Sequence, residues 1–123
     1  GRGYVELKTS RVIEHPRQRE NFERNKLLKF WIQSFLGGVP QICCGFRDDY
    51  GEIQEVQMIK TLEIPRMVRG KRNMWDPATC LDFTSRLLES IRTVTQESKA
   101  YQLNYAPPFT HVTMHEVDSR QLD

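Results

Sequence analysis

The chain has 123 residues, 38% hydrophobic and 28% charged, which is enough for one core and typical of a folded globular domain. Its net charge of +2 excludes a generally polybasic mode of nucleic-acid binding, so any such site must be a local patch. Cys43, Cys44 and Cys80 are odd in number and lie in apolar contexts, which fits reduced core thiols rather than disulfides or zinc, and no run approaches the roughly 18 apolar residues of a membrane span or opens as a signal peptide.

The first predicted element is a β-strand in Tyr4 to Thr9. Side chains alternate along a strand, so Glu6 and Lys8 share one face and Val5 and Leu7 form an apolar face on the other side. Arg11 to Glu20 is polar, and Pro16 suits the first turn of a helix beginning near Arg17. From Phe22 to Leu36, Leu27, Leu28, Trp31, Ile32 and Phe35 recur at three- and four-residue steps and predict an amphipathic helix. Gly37 and Gly38 end it, with Pro40 as a stop. Lys26, Lys29 and Gln33 share one stripe of that helix, the part suited to face a polyanion.

Gln41 to Arg47 places Ile42, Cys44 and Phe46 on one face, and Ile53 to Ile59 is a second β-rich run. The turn Asp48-Asp49-Tyr50-Gly51 joins them as a hairpin. Leu62 to Asn73 reads as irregular and basic, with Arg66, Arg69, Lys71 and Arg72. Asp76 is an N-cap with Pro77 at the first helical position, opening a helix whose Cys80, Phe83, Leu87, Leu88, Ile91 and Val94 form a predicted core stripe. Tyr101 to Tyr105, the turn Ala106-Pro107-Pro108, and Phe109 to Val117 predict a final strand pair. The order β, α, β, β, α, β, β implies a mixed α/β domain without internal repeats.

A carboxylate and an ammonium side by side on a strand are the minimum equipment of a metal-dependent phosphodiester-cleaving site. The carboxylate of Glu6 suits a divalent cation, and Lys8 suits a phosphate oxygen or an attacking water. A solvated cross-strand ion pair is the plainer reading of the same triplet. Lys26, Lys29 and the Arg66 to Arg72 cluster fit phosphate contacts or a charged, solvated surface. His111 and His115, on a strand, stand about 13 Å apart, too far to share one metal. Asp48 and Asp49 read as turn formers.

The segments YVELKTS, NKLLKFWIQSFLGGVP, CCGFRDDYG, MWDPATCLDF and HVTMHEVD resemble the decapping exoribonuclease (DXO) family, partners and relatives of the nuclear 5′-to-3′ exoribonucleases. The resemblance implies a PD-(D/E)xK-like nuclease core, mixed β-sheets flanked by helices, with two Mg²⁺ or Mn²⁺ ions in the intact site. The family's E-h-K motif matches Glu6-Leu7-Lys8. By resemblance Glu6 is a metal ligand and catalytic, the main-chain carbonyl of Leu7 reaches a metal, and Lys8 is catalytic and contacts the scissile phosphate and the nucleophilic water. Gln33 matches the family's phosphate-contacting glutamine in L-L-K-[FW]-W-x-Q-S-F.

The family's upstream arginine, G-x-x-x-E and E-h-D motifs have no counterpart before Glu6, so residues 1–123 are expected to be the C-terminal portion of a single catalytic domain. A start without Met, directly into a strand, is expected of a cleaved, truncated or partly ordered protein. Glu116-Val117-Asp118 spells the missing E-h-D triplet. It follows Glu6 by more than a hundred residues, whereas the family's motif shortly precedes E-h-K, so it is rejected as a ligand pair.

The implied function is RNA 5′-end hydrolysis: decapping, deNADding, pyrophosphohydrolase or 5′-to-3′ exoribonuclease action. The implied partners are RNA 5′ ends carrying a triphosphate, an incomplete cap, a NAD cap or a monophosphate, together with the upstream portion of the same protein and a larger 5′-to-3′ exoribonuclease. The implied location is the nucleus, extending to the cytoplasm, with no membrane attachment. The alternatives are a catalytically inactive relative acting as an RNA-binding or scaffolding subunit, and a DNA nuclease built on the same core. The joint presence of Glu6, Lys8 and Gln33 argues against an inactive relative.

Overall fold

Two β-rich runs separated by a long helical segment can pair in parallel, because the crossover has room for a helix. In the computed structural model, which describes residues 3–121, β1 (Val5–Arg11) and β2 (Gln41–Arg47) pair in this way, and β2 pairs antiparallel with β3 (Ile53–Lys60). The sheet order is β1-β2-β3. Of the span 1–123 expected to form one portion of a domain, Gly1, Arg2, Leu122 and Asp123 lie outside the described residues. The chain divides into two compact units, Gly1–Cys80 and Leu81–Asp123.

In the first unit, paired residues share a face, so Glu6, Lys8 and Ser10 lie on the same side as Ile42, Cys44 and Phe46. That side is the core: Ile42, Cys44 and Phe46 are buried together with Leu27, Phe30 and Trp31 from the helix and Ile59 from β3. Each such large apolar side chain contributes about 1.5–3 kcal/mol when removed from water. Alternation along β1 left open which of its two faces is covered. Val5 and Leu7 are 45% and 76% exposed, and the Glu6 and Lys8 face turns toward the helix, because Ile42, Cys44 and Phe46 fix which side of the sheet is covered.

The expected single helix has three parts. α1 (Pro16–Asn21) starts with its proline in the first turn, a π-helical turn covers Phe22–Lys26, and α2 (Leu27–Leu36) completes it. A π turn holds more residues than an α turn and is seldom visible in sequence. The α2 C-terminus is closed as Gly37 and Gly38 predict. Gly38 takes φ 69°, Val39 N–H donates to Ser34 O at 2.8 Å, and Gly38 N–H donates to Phe35 O at 3.2 Å.

Between Leu62 and Asn73 the expected irregular stretch is partly helical. A 3₁₀ turn at Thr61–Glu63 leads into α3 (Ile64–Val68), whose Ile64 and Val68 stand one turn apart and are both buried. The hairpin turn forms as predicted: Asp48 Oδ1 accepts from Tyr50 and Glu52 N–H at 2.9 and 3.0 Å, and Asp49 pairs with Arg11 at 3.0 Å.

α4 (Pro77–Val94) is capped by Asp76, whose Oδ2 accepts from Thr79 N–H at 3.1 Å and Thr79 Oγ1 at 2.6 Å. Its predicted core stripe is only half covered. No α4 residue is fully buried, and Phe83, Leu88 and Val94 are exposed. The second unit's sheet has two antiparallel strands, β4 (Ala100–Asn104), shifted by one residue from the expected run, and β5 (Thr113–Val117), shorter than expected; this pair is too small to cover a helix of 18 residues.

Candidate nuclease site

Glu6 and Lys8 emerge from β1 beneath one stripe of the helix. The Lys8 ammonium donates to Gln33 Oε1 at 2.8 Å, pairs with Glu6 Oε1 at 3.3 Å, and lies 5.7 Å from the centre of the Phe30 ring. Phe30 and Gln33 are three apart on α2, so one helical stripe supplies both contacts. The pair is partly open to water, with side-chain exposure of 22% for Lys8 and 41% for Glu6. With its oxygen committed to Lys8, the Gln33 amide has two N–H donors to offer an anion.

Lys26 extends the stripe in a way the sequence did not anticipate. Its ammonium donates to Ser10 Oγ at 3.2 Å and approaches Thr9 O at 3.5 Å, so it tethers the helix to β1. Lys29 is exposed and makes no side-chain ion pair among the described residues.

For a divalent cation, the donor chemistry is right and the number is short. Glu6 offers a hard carboxylate oxygen and β1 offers main-chain carbonyls, the ligand type that Mg²⁺ and Mn²⁺ prefer, but such ions take about six oxygens. No group of three or more His, Cys, Asp or Glu able to hold a metal exists among the described residues. Cys44, beside Lys8 in the register, is fully buried, and burial pushes its thiol above the ordinary range while Lys26 opposes the shift; it stays neutral and inert.

The rejected acidic triplet is engaged locally. Glu116 faces Lys99 at 3.7 Å, and Asp118 pairs with Arg120 at 2.9 Å, which holds the Asp118 carboxyl below its usual range. In the basic loop, Arg66, Arg69 and Arg72 are exposed, whereas Lys71 is bound to Glu23 at 2.6 Å. Sequence reasoning missed Glu23. The signal was present: Glu23 stands four residues before Leu27 and eight before Trp31, on the apolar stripe, where a charge is out of place.

Residues 1–122 match the family profile described as RAI1 like PD-(D/E)XK nuclease. The chain is 50% identical over 91 residues to the Decapping and exoribonuclease protein of Xenopus laevis, covering 74% of the chain and 23% of that protein. Among solved structures it is similar to Scheffersomyces stipitis Rai1 in complex with (3′-NADP)⁺ and calcium ion (TM-score 0.83, 33% identity, 96% of this chain and 32% of that one). It is also similar to Candida albicans Rai1 in complex with pU5-Mn²⁺ (TM-score 0.83, 34% identity, 95% and 33%). The chain thus spans about a quarter to a third of the length of these relatives. The expected mixed α/β fold with a PD-(D/E)xK-type core holds, and the resemblance read from the E-h-K strand and the L-L-K helix is confirmed. The chain belongs to the RAI1-like PD-(D/E)XK nuclease family.

Proposed function

We propose that this chain supplies part of the active site of a metal-dependent hydrolase that processes RNA 5′ ends, as one portion of a single catalytic domain. The observation that carries the reading is the convergence of Glu6, Lys8 and Gln33, from a strand and a helix, in a chain of this nuclease family. Glu6, with the main-chain carbonyl of Leu7, would hold divalent metal, Mg²⁺ or Mn²⁺, two ions in the complete site. When bound, such ions polarise a phosphate and activate a water. Lys8 neutralises charge on the scissile phosphate and orients the water, and the Gln33 amide donates to the same phosphate.

Relatives support the substrate class: one was solved with pU5 and Mn²⁺, another with (3′-NADP)⁺ and calcium. The substrates proposed are 5′-triphosphate, incompletely capped, NAD-capped and 5′-monophosphate RNA. The setting proposed is nuclear, extending to the cytoplasm, beside a larger 5′-to-3′ exoribonuclease. The test is Glu6→Ala in the full-length protein. Turnover of all four ends should vanish while unfolding stays cooperative. Wild-type turnover would replace this reading with that of an RNA-binding scaffold.

A further inference from the structure

The proposed chemistry leaves unused the one buried charged side chain among the described residues, Glu23. A carboxylate removed from water must be paired and hydrogen-bonded. Glu23 Oε1 lies 2.6 Å from Lys71 Nζ, and its Oε2 lies 3.5 Å from Arg19 Nε. Its main-chain carbonyl accepts the Trp75 indole N–H at 2.8 Å, and the Trp75 ring stacks on Trp31 at 5.2 Å. The loop after α3 is therefore held to the helical segment by an ion pair, a hydrogen bond and a ring stack, through Lys71 and Trp75, which follow Glu23 by 48 and 52 positions.

This arrangement sorts the basic loop into two kinds of cation. Lys71 is consumed by Glu23, whereas Arg69 and Arg72, on either side of it, are exposed and make no side-chain ion pair among the described residues. A polyanion binds more tightly to cations already fixed in place, because less ordering entropy is lost on binding.

We propose that Glu23 is the positioning residue of an RNA-backbone surface, fixing the loop so that Arg69 and Arg72 contact phosphates of a strand whose reacting end lies at Lys8 and Gln33. The inference rests on the RNA reading above. It opposes the plain electrostatic view, in which Glu23 is merely one negative charge. On that view Glu23→Gln adds a net positive charge, tightens RNA binding and steepens its salt dependence.

The test uses the full-length protein and a labelled single-stranded 5′-monophosphate RNA, with binding measured across a salt series under chelation so that no turnover occurs. Glu23→Gln should weaken binding on the order of tenfold and lower the salt slope by roughly 0.7 for each phosphate that is no longer neutralised. Lys71→Met should act in the same direction, and the double variant should be no worse than the poorer single one. Hydrogen exchange across residues 69–75 should quicken in both single variants. The Lys71 side chain is 47% exposed, so Lys71→Met keeps the inference testable even where Glu23→Gln does not fold.

Tighter binding with a steeper slope, additive effects, or unchanged exchange would overturn the clamp. Arg69→Gln with Arg72→Gln isolates the surface itself: unchanged affinity removes that surface. The chemical reading stands or falls separately on turnover by Glu6→Ala.

Discussion

Lys8 Nζ and Gln33 Oε1 lie 2.8 Å apart although their residues are separated by 25 positions. The pairing depends on two independent pieces of geometry. Parallel register places Lys8 beside Cys44 on the core face of the sheet, and the three-residue step from Phe30 to Gln33 carries the amide to the end of the same stripe. An ammonium held between an amide oxygen, a carboxylate and an aromatic face is fixed before any substrate arrives, which is the condition for electrostatic stabilisation of a developing charge.

Because the two side chains act as a unit, their removal should be non-additive. On the proposed reading, Lys8→Met in the full-length protein should lower kcat on the order of 10²–10³-fold with a smaller change in KM. Gln33→Ala should cost less. The double variant should fall close to Lys8→Met alone, and steady-state kinetics on 5′-triphosphate RNA reads all three. Fully multiplicative effects would show that the observed hydrogen bond does not couple them.

Lys26 and Lys29 look alike in sequence but should behave differently. Lys26 is committed to Ser10 and Thr9, so Lys26→Met should reduce turnover by loosening the helix on β1 while leaving the salt slope of RNA binding unchanged. Lys29 is exposed and carries no such commitment, so Lys29→Glu should flatten that slope by the equivalent of one phosphate, roughly 0.7, with little effect on kcat. The opposite assignment of the two effects would return Lys26 to the phosphate surface.

Local signals were legible where one residue type decides the conformation. Pro16 and Pro77 open helices, Asp76 caps, Gly38 closes α2, and Asp48 builds its turn. The buried face of β2 followed from alternation. The orientation of β1 did not, because its apolar residues mark a face that the described residues leave exposed, and only pairing with β2 reveals which side is the core. The π turn and the Glu23 cluster escaped for a different reason. Periodicity marks Glu23 as a charge out of place on the apolar stripe but does not name its partners Lys71 and Trp75, 48 and 52 residues on, and a π turn has no sequence signature of its own.

The cap of α4 gives a pH dependence with a definite sign. Hydrogen bonds from the Thr79 hydroxyl and then from the Thr79 N–H hold the Asp76 carboxyl below its ordinary range. A depressed carboxylate stabilises the folded state above its unfolded value, and that contribution is lost as pH falls through the folded value. Asp76→Asn keeps a capping oxygen but cannot titrate. Thermal unfolding followed from neutral to strongly acidic pH should therefore show a smaller acid-induced loss of stability in Asp76→Asn than in the parent. Parallel curves would remove Asp76 from the titrating set.

The metal contribution of these residues can be isolated from that of the complete site. A hard dication requires about six oxygens, and the described residues bring Glu6 without any cluster of three or more metal-capable side chains. The chain of 123 residues taken alone should therefore bind Mn²⁺ only weakly, in the millimolar rather than the micromolar range by calorimetry, and should hydrolyse no RNA at a useful rate. Glu6→Gln should remove the weak binding, whereas Glu116→Gln with Asp118→Asn should leave it intact, because those carboxylates are engaged by Lys99 and Arg120. In the full-length protein, Glu6→Gln should weaken Mn²⁺ binding and abolish turnover together, since Glu6 would hold an ion that supplies the phosphate chemistry. A micromolar site in the chain alone that persists in Glu6→Gln would move the metal away from β1, and with it the assignment of Lys8 and Gln33 to the scissile phosphate.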